Sequence, residues 1–156
     1  MTIRRLYVID TCALISFFDL VFVHAPKYDG SPHLSNRATG IITDAIYSTG
    51  TQIRLSIPSI VFIEIYEKWL RTEEFCRMFF YKVFDPLRKS ANVEIRPTDR
   101  EVLEKLLYIG GQLADHDLHD RLVLASAMAL EAPLITTDED VTAYCNEKHV
   151  IPEVFR

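Results

Sequence analysis

Short apolar segments rich in valine, isoleucine and leucine recur along the chain and alternate with longer segments of helical periodicity. This alternation predicts an α/β fold, because strands that are apolar on both faces need helices to cover them. We expect a three-layer α/β/α sandwich with a mostly parallel, four- to five-stranded sheet. The predicted strands are residues 6–9, 53–57, 93–96 and 134–136, with a weaker fifth at 149–151. The predicted helices are residues 13–22, 37–48, 58–71, 73–90, 99–110, 118–131 and 138–149.

The length of 156 residues fits one domain spanning residues 1–156. Within it, residues 24–36 (HAPKYDGSPHLSN) combine two prolines, a glycine and small polar residues, which indicates a loop insertion. A loop of this length is either a plain surface insertion or a lid on the substrate side of a site.

The composition excludes several classes of protein. A formal net charge of −5 argues against a surface devoted as a whole to nucleic acid, although it leaves room for a local basic patch. No apolar run approaches the roughly 20 residues that span a bilayer. Arg4 and Arg5 lead directly into a strand-like segment, which is not typical of a leader peptide. The three cysteines, Cys12, Cys76 and Cys145, form no CxxC pair, so we expect a cytoplasmic protein. From the absence of a long apolar run we expect no membrane association.

Two acidic residues follow predicted strands. Asp10 ends the first strand, and the segment Thr136-Thr137-Asp138 ends the fourth. Because the carboxyl ends of parallel strands meet at one edge of a sheet, where α/β proteins bind ligands, both side chains are expected at that edge. Each acid also precedes a predicted helix, so each is open to a second interpretation as a helix N-cap.

Glu64 and Asp120 lie in apolar surroundings. Glu64 is embedded in SIPSIVFIEIYEKW, whereas Glu67 and Lys68 nearby are expected to form an exposed pair. Asp120 precedes a helix that is apolar almost all round and therefore buried. Asp117 lies three residues earlier and is either a cap or, if helical, on the same face as Asp120.

Convergence of Asp10, Glu64, Asp120 and Asp138 at one edge would be costly without a cation. Each like-charge pair at about 5 Å costs roughly 3 kcal/mol at an effective dielectric constant near 20. Either some of the carboxylates take up protons, or a divalent ion binds. Ligation by carboxylate oxygens alone suits Mg²⁺ or Mn²⁺, while the scattered histidines fit a zinc site poorly. The sequence contains no phosphate-binding glycine loop.

Three segments, taken in order, resemble PIN-domain ribonucleases, especially VapC-type toxins of toxin–antitoxin pairs. YVIDTCALISFF resembles the opening strand of that family with its Asp followed by Thr, and SIVFIEIYEKW resembles the second motif, an acid near the start of an apolar helix. DLHDRLVLASAMALEAPLITTDEDV is similar to the Asp-initiated, alanine-rich helix and the strand that ends in Thr-x-Asp. Together these segments touch both ends and the middle of the chain.

The resemblance implies a PIN-like fold and a metal-dependent endoribonuclease that hydrolyses RNA phosphodiester bonds as the toxin of a toxin–antitoxin pair. It places metal-binding and catalytic acids at Asp10, Glu64, Asp120 and Asp138, with one or two Mg²⁺ or Mn²⁺ ions. The supporting residues that it implies are Thr11, Thr136, Asp117 and Asp140. The partners that follow are an RNA substrate, an antitoxin protein and a second copy of the chain.

Two other classes of function stay open on the sequence. One is a catalytically silent PIN-like scaffold for protein interaction, and the other is a Mg²⁺-dependent phosphomonoesterase or DNA nuclease. A basic and aromatic segment in the middle third is interpreted first as a dimer or antitoxin surface and second as an RNA guide. Its residues are Lys68, Trp69, Arg71, Phe75, Arg77, Phe79, Phe80, Tyr81, Lys82, Phe84, Arg88 and Lys89.

Overall fold

A single five-stranded sheet forms the centre of the structure, a computed structural model that describes residues 5–156. Neighbouring strands are parallel throughout, in the order β3-β2-β1-β4-β5. The strands are β1 (Arg5–Ile9), β2 (Ile53–Pro58), β3 (Val93–Arg96), β4 (Leu134–Ile135) and β5 (Val154–Phe155). The sheet is therefore fully parallel, and the predicted strands at 6–9, 53–57, 93–96 and 134–136 are confirmed within one residue at each end.

Helices connect the strands. They are α1 (Thr11–Phe17), α2 (Asp19–Phe22), α3 (Asn36–Tyr47), α4 (Ser59–Lys68), α5 (Glu73–Phe79), α6 (Asp85–Lys89), α7 (Arg100–Ile109), α8 (Leu118–Leu130) and α9 (Glu139–Lys148). A π-helical segment, Phe80–Phe84, joins α5 to α6. None of the helices within residues 5–156 has the length and apolar character needed to cross a bilayer.

The strand order reverses between β1 and β4. The chain moves outward from β1 to β2 and β3, then crosses back to β4 and moves outward again to β5. Because such crossovers are right-handed, the helices that follow β1 and β2 lie on one face of the sheet and those that follow β3 and β4 lie on the other. This confirms the predicted α/β sandwich and places a topological switch point between β1 and β4.

The predicted fifth strand at 149–151 is wrong. His149 adopts a left-handed conformation and closes α9 by donating its N–H to the Cys145 carbonyl. Pro152 follows and has no N–H with which to pair. The edge strand forms two residues later, where the Leu134 N–H bonds to the Glu153 carbonyl and Thr136 N–H bonds to Phe155.

Two helices predicted as continuous are interrupted. The helix predicted at 13–22 ends at Phe17 and resumes at Asp19, because Phe18 leaves the helical conformation with ψ of 30°. The helix predicted at 73–90 contains the π-helical segment. The apolar pattern runs through both interruptions, so periodicity alone carries no signal for them.

The loop predicted at 24–36 is present, with no helix or strand from residue 24 to residue 35. It is fastened to α1 and α2, since the Ser16 hydroxyl donates to the Pro32 carbonyl and the Tyr28 hydroxyl donates to Asp19. The Ser35 N–H also bonds to the Arg156 carbonyl. Its service as a lid, like the extent of the domain over residues 1–156, stays a prediction.

Phe22 is the centre of an aromatic cluster on one face of the fold. It is fully buried, and its ring lies 5.7 Å from that of Phe75 and 6.0 Å from those of Trp69 and Phe79, in edge-on geometry. Edge-to-face aromatic pairs stabilise a fold by more than the burial of their apolar surface alone provides. Phe75 and Phe79, from the basic and aromatic segment, therefore belong to the core rather than to a surface.

Replacing Phe22 by alanine should lower the free energy of unfolding by roughly 3–5 kcal/mol, because it leaves a cavity among the rings of Trp69, Phe75 and Phe79. Leu20→Ala is the matched control, since Leu20 is 85% exposed and its loss should change stability by less than about 0.5 kcal/mol. Urea denaturation followed by circular dichroism measures both. Equal stabilities for the two variants would contradict this account of the core.

Candidate metal centre

The switch point between β1 and β4 is where acidic side chains meet. Asp10 follows the last residue of β1, and Asp138 lies three residues beyond the end of β4. These strands are neighbours, with Val8 opposite Leu134 and Ile9 opposite Ile135. Both acids therefore leave the sheet at the same edge, where α/β proteins bind ligands.

Asp10 is buried at the junction of β1 and α1. It caps α1, with its Oδ1 accepting the Ala13 N–H at 2.8 Å, and its Oδ2 accepts the hydroxyl of Thr136. Thr136 also accepts the Asp138 N–H at 3.0 Å, so this one hydroxyl links the two acids. Asp10 is thus a helix N-cap, and the same residue also lies at the predicted edge of the sheet. Thr11, the first residue of α1, is also buried.

Asp120 lies in the first turn of α8 and, like Asp10, has no lysine, arginine or histidine within 4 Å among residues 5–156. Asp117 is the N-cap of α8 and accepts the Asp120 N–H at 3.1 Å. Asp117 is therefore a capping residue outside the helix and does not share a helical face with Asp120.

The pKa values of Asp10 and Asp120 show that these acids are coupled. Burial, together with the charges of Asp120 and Asp138, raises the pKa of Asp10 from 3.8 to about 7, against the lowering effect of the Thr136 and Ala13 hydrogen bonds. Burial, together with Asp117, Glu64 and Asp138, raises the pKa of Asp120 to about 6. Like charges shift one another in this way only when they are close.

The charges of all four predicted acids affect the pKa of the Cys12 thiol. The residue is exposed, yet protein atoms crowd its thiol, and that crowding is the largest cause of a pKa raised from 9.0 to about 12. The further causes are the charges of Asp10, Asp120, Glu64 and Asp138. A thiol in the first turn of α1 therefore lies within electrostatic reach of every one of them.

Asp138 caps α9, accepting the Val141 N–H at 2.9 Å. Its two carboxylate oxygens each lie 3.3 Å from Nε2 of His116, which is also 4.0 Å from Asp140 on the exposed first turn of α9. Burial lowers the pKa of His116, but Asp138, Asp120 and Asp140 raise it, and the net shift is upward.

Glu64 is buried in α4 but is not unpaired. Its Oε2 lies 2.8 Å from Nζ of Lys68 and 3.4 Å from Nδ1 of His119. Glu67 and Lys68 are both exposed, as expected, but they do not pair with each other, because one turn of helix brings Lys68 back onto Glu64. Glu67 instead lies 3.5 Å from Nε2 of His119.

Lys68, His116 and His119 are residues of this region that the sequence analysis did not assign to the site. The Glu64–Lys68 spacing of four residues was a usable signal for an ion pair on one helix face. His116 and His119 alternate with acids in DHDLHD, but which acid each would contact depends on how α8 packs beside α4 and α9. The histidines contact acids rather than being simply solvated.

The donors fit a divalent cation by their chemistry. Ligand atoms of Glu64, Asp117 and His119 lie within 4.8 Å of one another, and so do those of His116, Asp138 and Asp140. Asp10 and Asp120 fall outside both groups but share the same field of negative charge, since their pKa values respond to Asp138 and Glu64. Carboxylates outnumber the basic side chains in this region. Carboxylate oxygens are the ligands that Mg²⁺ and Mn²⁺ prefer.

Known proteins were informative only through their structures. No model of a protein family matches the chain, and no functionally curated protein matches it.

Several solved structures contain a chain of similar fold, and among them are members of the VapBC family of toxin–antitoxin systems. VapBC2 from Rickettsia felis, bound to a DNA fragment from its promoter, aligns with 13% identity over 97% of this chain and 99% of that chain, at a TM-score of 0.59. VapBC-1 from nontypeable Haemophilus influenzae aligns with 16% identity over 95% and 96%, at 0.60. FitAcB from Neisseria gonorrhoeae aligns with 14% identity over 96% of each chain, at 0.59.

These similarities define the class of fold. The chain has the PIN-like fold found in VapBC complexes, along nearly its whole described length. The resemblance seen in the three sequence segments is confirmed at this level. The assignment of metal-binding residues stays a prediction.

Asp10→Asn should stabilise the metal-free protein at pH 8. The unfolded chain releases the Asp10 proton near pH 3.8, whereas the folded protein keeps it to about pH 7. The folded state thus binds more protons between these values, and stability falls as the pH rises through that range. Asparagine caps a helix as well as aspartate and carries no charge, so the variant should avoid a loss of unfolding free energy on the order of 4 kcal/mol.

Urea denaturation in a chelator at pH 5 and pH 8 measures this effect. Asp44→Asn, on the exposed face of α3, is the control and should follow the wild type. An Asp10→Asn variant no more stable than wild type at pH 8 would show that the carboxylate is not destabilised by its surroundings.

The alkylation rate of Cys12 at fixed pH should rise in each of Asp10→Asn, Glu64→Gln, Asp120→Asn and Asp138→Asn. Each change removes one negative charge beside the thiolate and so lowers the pKa of the thiol. Mass spectrometry of the Cys12 peptide measures the rate, and Asp44→Asn should leave it unchanged. A rate that responds to none of the four would show that the acids do not surround this position.

Proposed function

We propose that this protein is a metal-dependent endoribonuclease that acts as the toxin of a toxin–antitoxin pair. The observation that carries the proposal is the state of Asp10 and Asp120, two coupled carboxylates at the switch point. Their pKa values are raised toward neutrality, and no basic side chain within residues 5–156 pairs with either of them. Perturbed carboxylates at a ligand-binding edge of the sheet are typical of functional sites.

Asp10, Asp120 and Asp138 would hold a Mg²⁺ or Mn²⁺ ion, with Glu64 bordering the same site. Such an ion, when bound, stabilises charge on a phosphate and lowers the pKa of water for attack on phosphorus. The chain itself fixes the ligands. Thr136 holds Asp10 and Asp138 in register through its hydroxyl, and the two N-caps fix the direction of both carboxylates.

His116 sits where it can orient Asp138 or exchange a proton at the rim of the site. Its Nε2 faces both oxygens of Asp138, and its side chain is 12% exposed. A histidine in contact with a ligating carboxylate fixes that carboxylate's orientation. We assign His116 this positioning role and treat Asp140, which is exposed beside it, as a rim residue.

The substrate and partners are proposed from the family resemblance together with the fold. Structures of similar fold include members of the VapBC family of toxin–antitoxin systems, which supports an antitoxin partner for this chain. Exposed apolar side chains on α4 and the π-helical segment, Ile63, Tyr66 and Tyr81, offer surface for that partner or for a second copy. Free cysteines fit a reducing, cytoplasmic setting.

Asp10→Asn and Asp120→Asn should each lower Mg²⁺-dependent cleavage of single-stranded RNA by at least about 100-fold, because each removes a charged ligand. Both variants should stay folded by circular dichroism, and Asp44→Asn should retain full activity. The assay uses labelled RNA with and without a chelator, beside single-stranded DNA and p-nitrophenyl phosphate. Full activity in either folded Asp variant would contradict the assignment.

The same assay separates the alternatives. Turnover of DNA or p-nitrophenyl phosphate in preference to RNA would favour the DNA nuclease or phosphomonoesterase. A folded wild type that cuts none of the three with Mg²⁺ or Mn²⁺ would favour a silent scaffold.

A further inference from the structure

Lys68 reaches into the acidic site from α4. Its Nζ lies 2.8 Å from Oε2 of Glu64 and 3.6 Å from Oδ2 of Asp117, which caps the neighbouring helix α8. The lysine therefore bridges two helices through two carboxylates. Its ammonium also lies 5.9 Å from the centre of the Trp69 ring, within the range of a cation–π contact.

The position of this ammonium is also a position for a metal ion. Glu64, Asp117 and His119 present ligand atoms within 4.8 Å of one another. Nζ of Lys68 contacts two of the three residues, and Nδ1 of His119 lies 3.4 Å from the same Glu64 oxygen that Lys68 contacts. One side of the site thus already contains a cation supplied by the chain.

Among the described residues, the other side of the site has no lysine or arginine in such a position, and a histidine is its only basic group. Within residues 5–156, Asp10 and Asp120 have no lysine, arginine or histidine within 4 Å, and Asp138 has only His116. The two sides are joined at Asp117, which contacts Nζ of Lys68 at 3.6 Å and accepts the Asp120 N–H at 3.1 Å. A lysine therefore compensates the negative charge on one side, whereas on the other side His116 is the only basic group near three acids within the described residues.

We propose that Lys68 takes the place of a second divalent ion, so that the site binds one Mg²⁺ or Mn²⁺ ion on the side of Asp10, Asp120 and Asp138. The proposal rests on the function proposed above and specifies its metal stoichiometry. Glu64 is 3% exposed, so removal of Lys68 leaves a buried charge with only His119 beside it. A buried charge that loses its partner is strongly unfavourable, and a divalent cation is the simplest replacement.

Isothermal titration calorimetry with Mn²⁺ at one fixed pH tests the stoichiometry on the full chain. Wild type should bind about one equivalent, and Lys68→Met should bind about two. Lys68→Arg should restore about one, since it keeps the positive charge. Lys105→Met is the matched control, because Lys105 is exposed on α7 and forms no ion pair within the described residues.

Circular dichroism checks that each variant is folded, and Lys68→Gln replaces Lys68→Met if the latter unfolds. In Lys68→Met, a further Glu64→Gln change should remove the second equivalent. Two equivalents in the wild type, or one in folded Lys68→Met with unchanged affinity, would overturn the proposal and leave the nuclease assignment standing. No Mn²⁺ binding by the wild type would overturn the proposed function and this inference with it.

Discussion

The buried carboxylate of Asp10 is the group around which the rest of the site is arranged. Its hydrogen-bond partners are the Ala13 N–H of α1 and the hydroxyl of Thr136, which directly follows β4. These neutral donors do not compensate for burial beside Asp120 and Asp138, as the pKa of about 7 indicates. Above about pH 7 the fold thus holds a negative group in an unfavourable place, and a divalent ion would stabilise the folded protein as it completes the site.

The fold produces this arrangement through its strand order. Parallel strands β1 and β4 bring two acids from opposite ends of the chain to one edge. Helix α8 supplies Asp120, and α4 supplies Glu64 together with Lys68. Stability is lost on one side of the site, where charges are unpaired, and retained on the other, where a lysine and a histidine accompany Glu64. Such local conflict between stability and charge placement is typical of functional sites.

Sequence reasoning predicted what depends on chain direction and periodicity. Asp10 and Asp138 could be placed because each ends a strand, and parallel strands end at the same edge. The break at Phe18, the π-helical segment and the position of β5 could not be placed, since they depend on capping geometry and a proline near the chain end. The roles of Lys68, His116 and His119 depend on contacts between helices far apart in sequence, which a single-sequence pattern does not encode.

A crystal structure of the protein soaked with Mn²⁺, with anomalous scattering recorded at the manganese edge, tests this picture most directly. We expect a single anomalous peak per chain in contact with carboxylate oxygens of Asp10, Asp120 and Asp138, at about 2.0–2.2 Å, with Lys68 still on Glu64. A peak elsewhere, or well-ordered crystals in which these three side chains bind no metal, would contradict it.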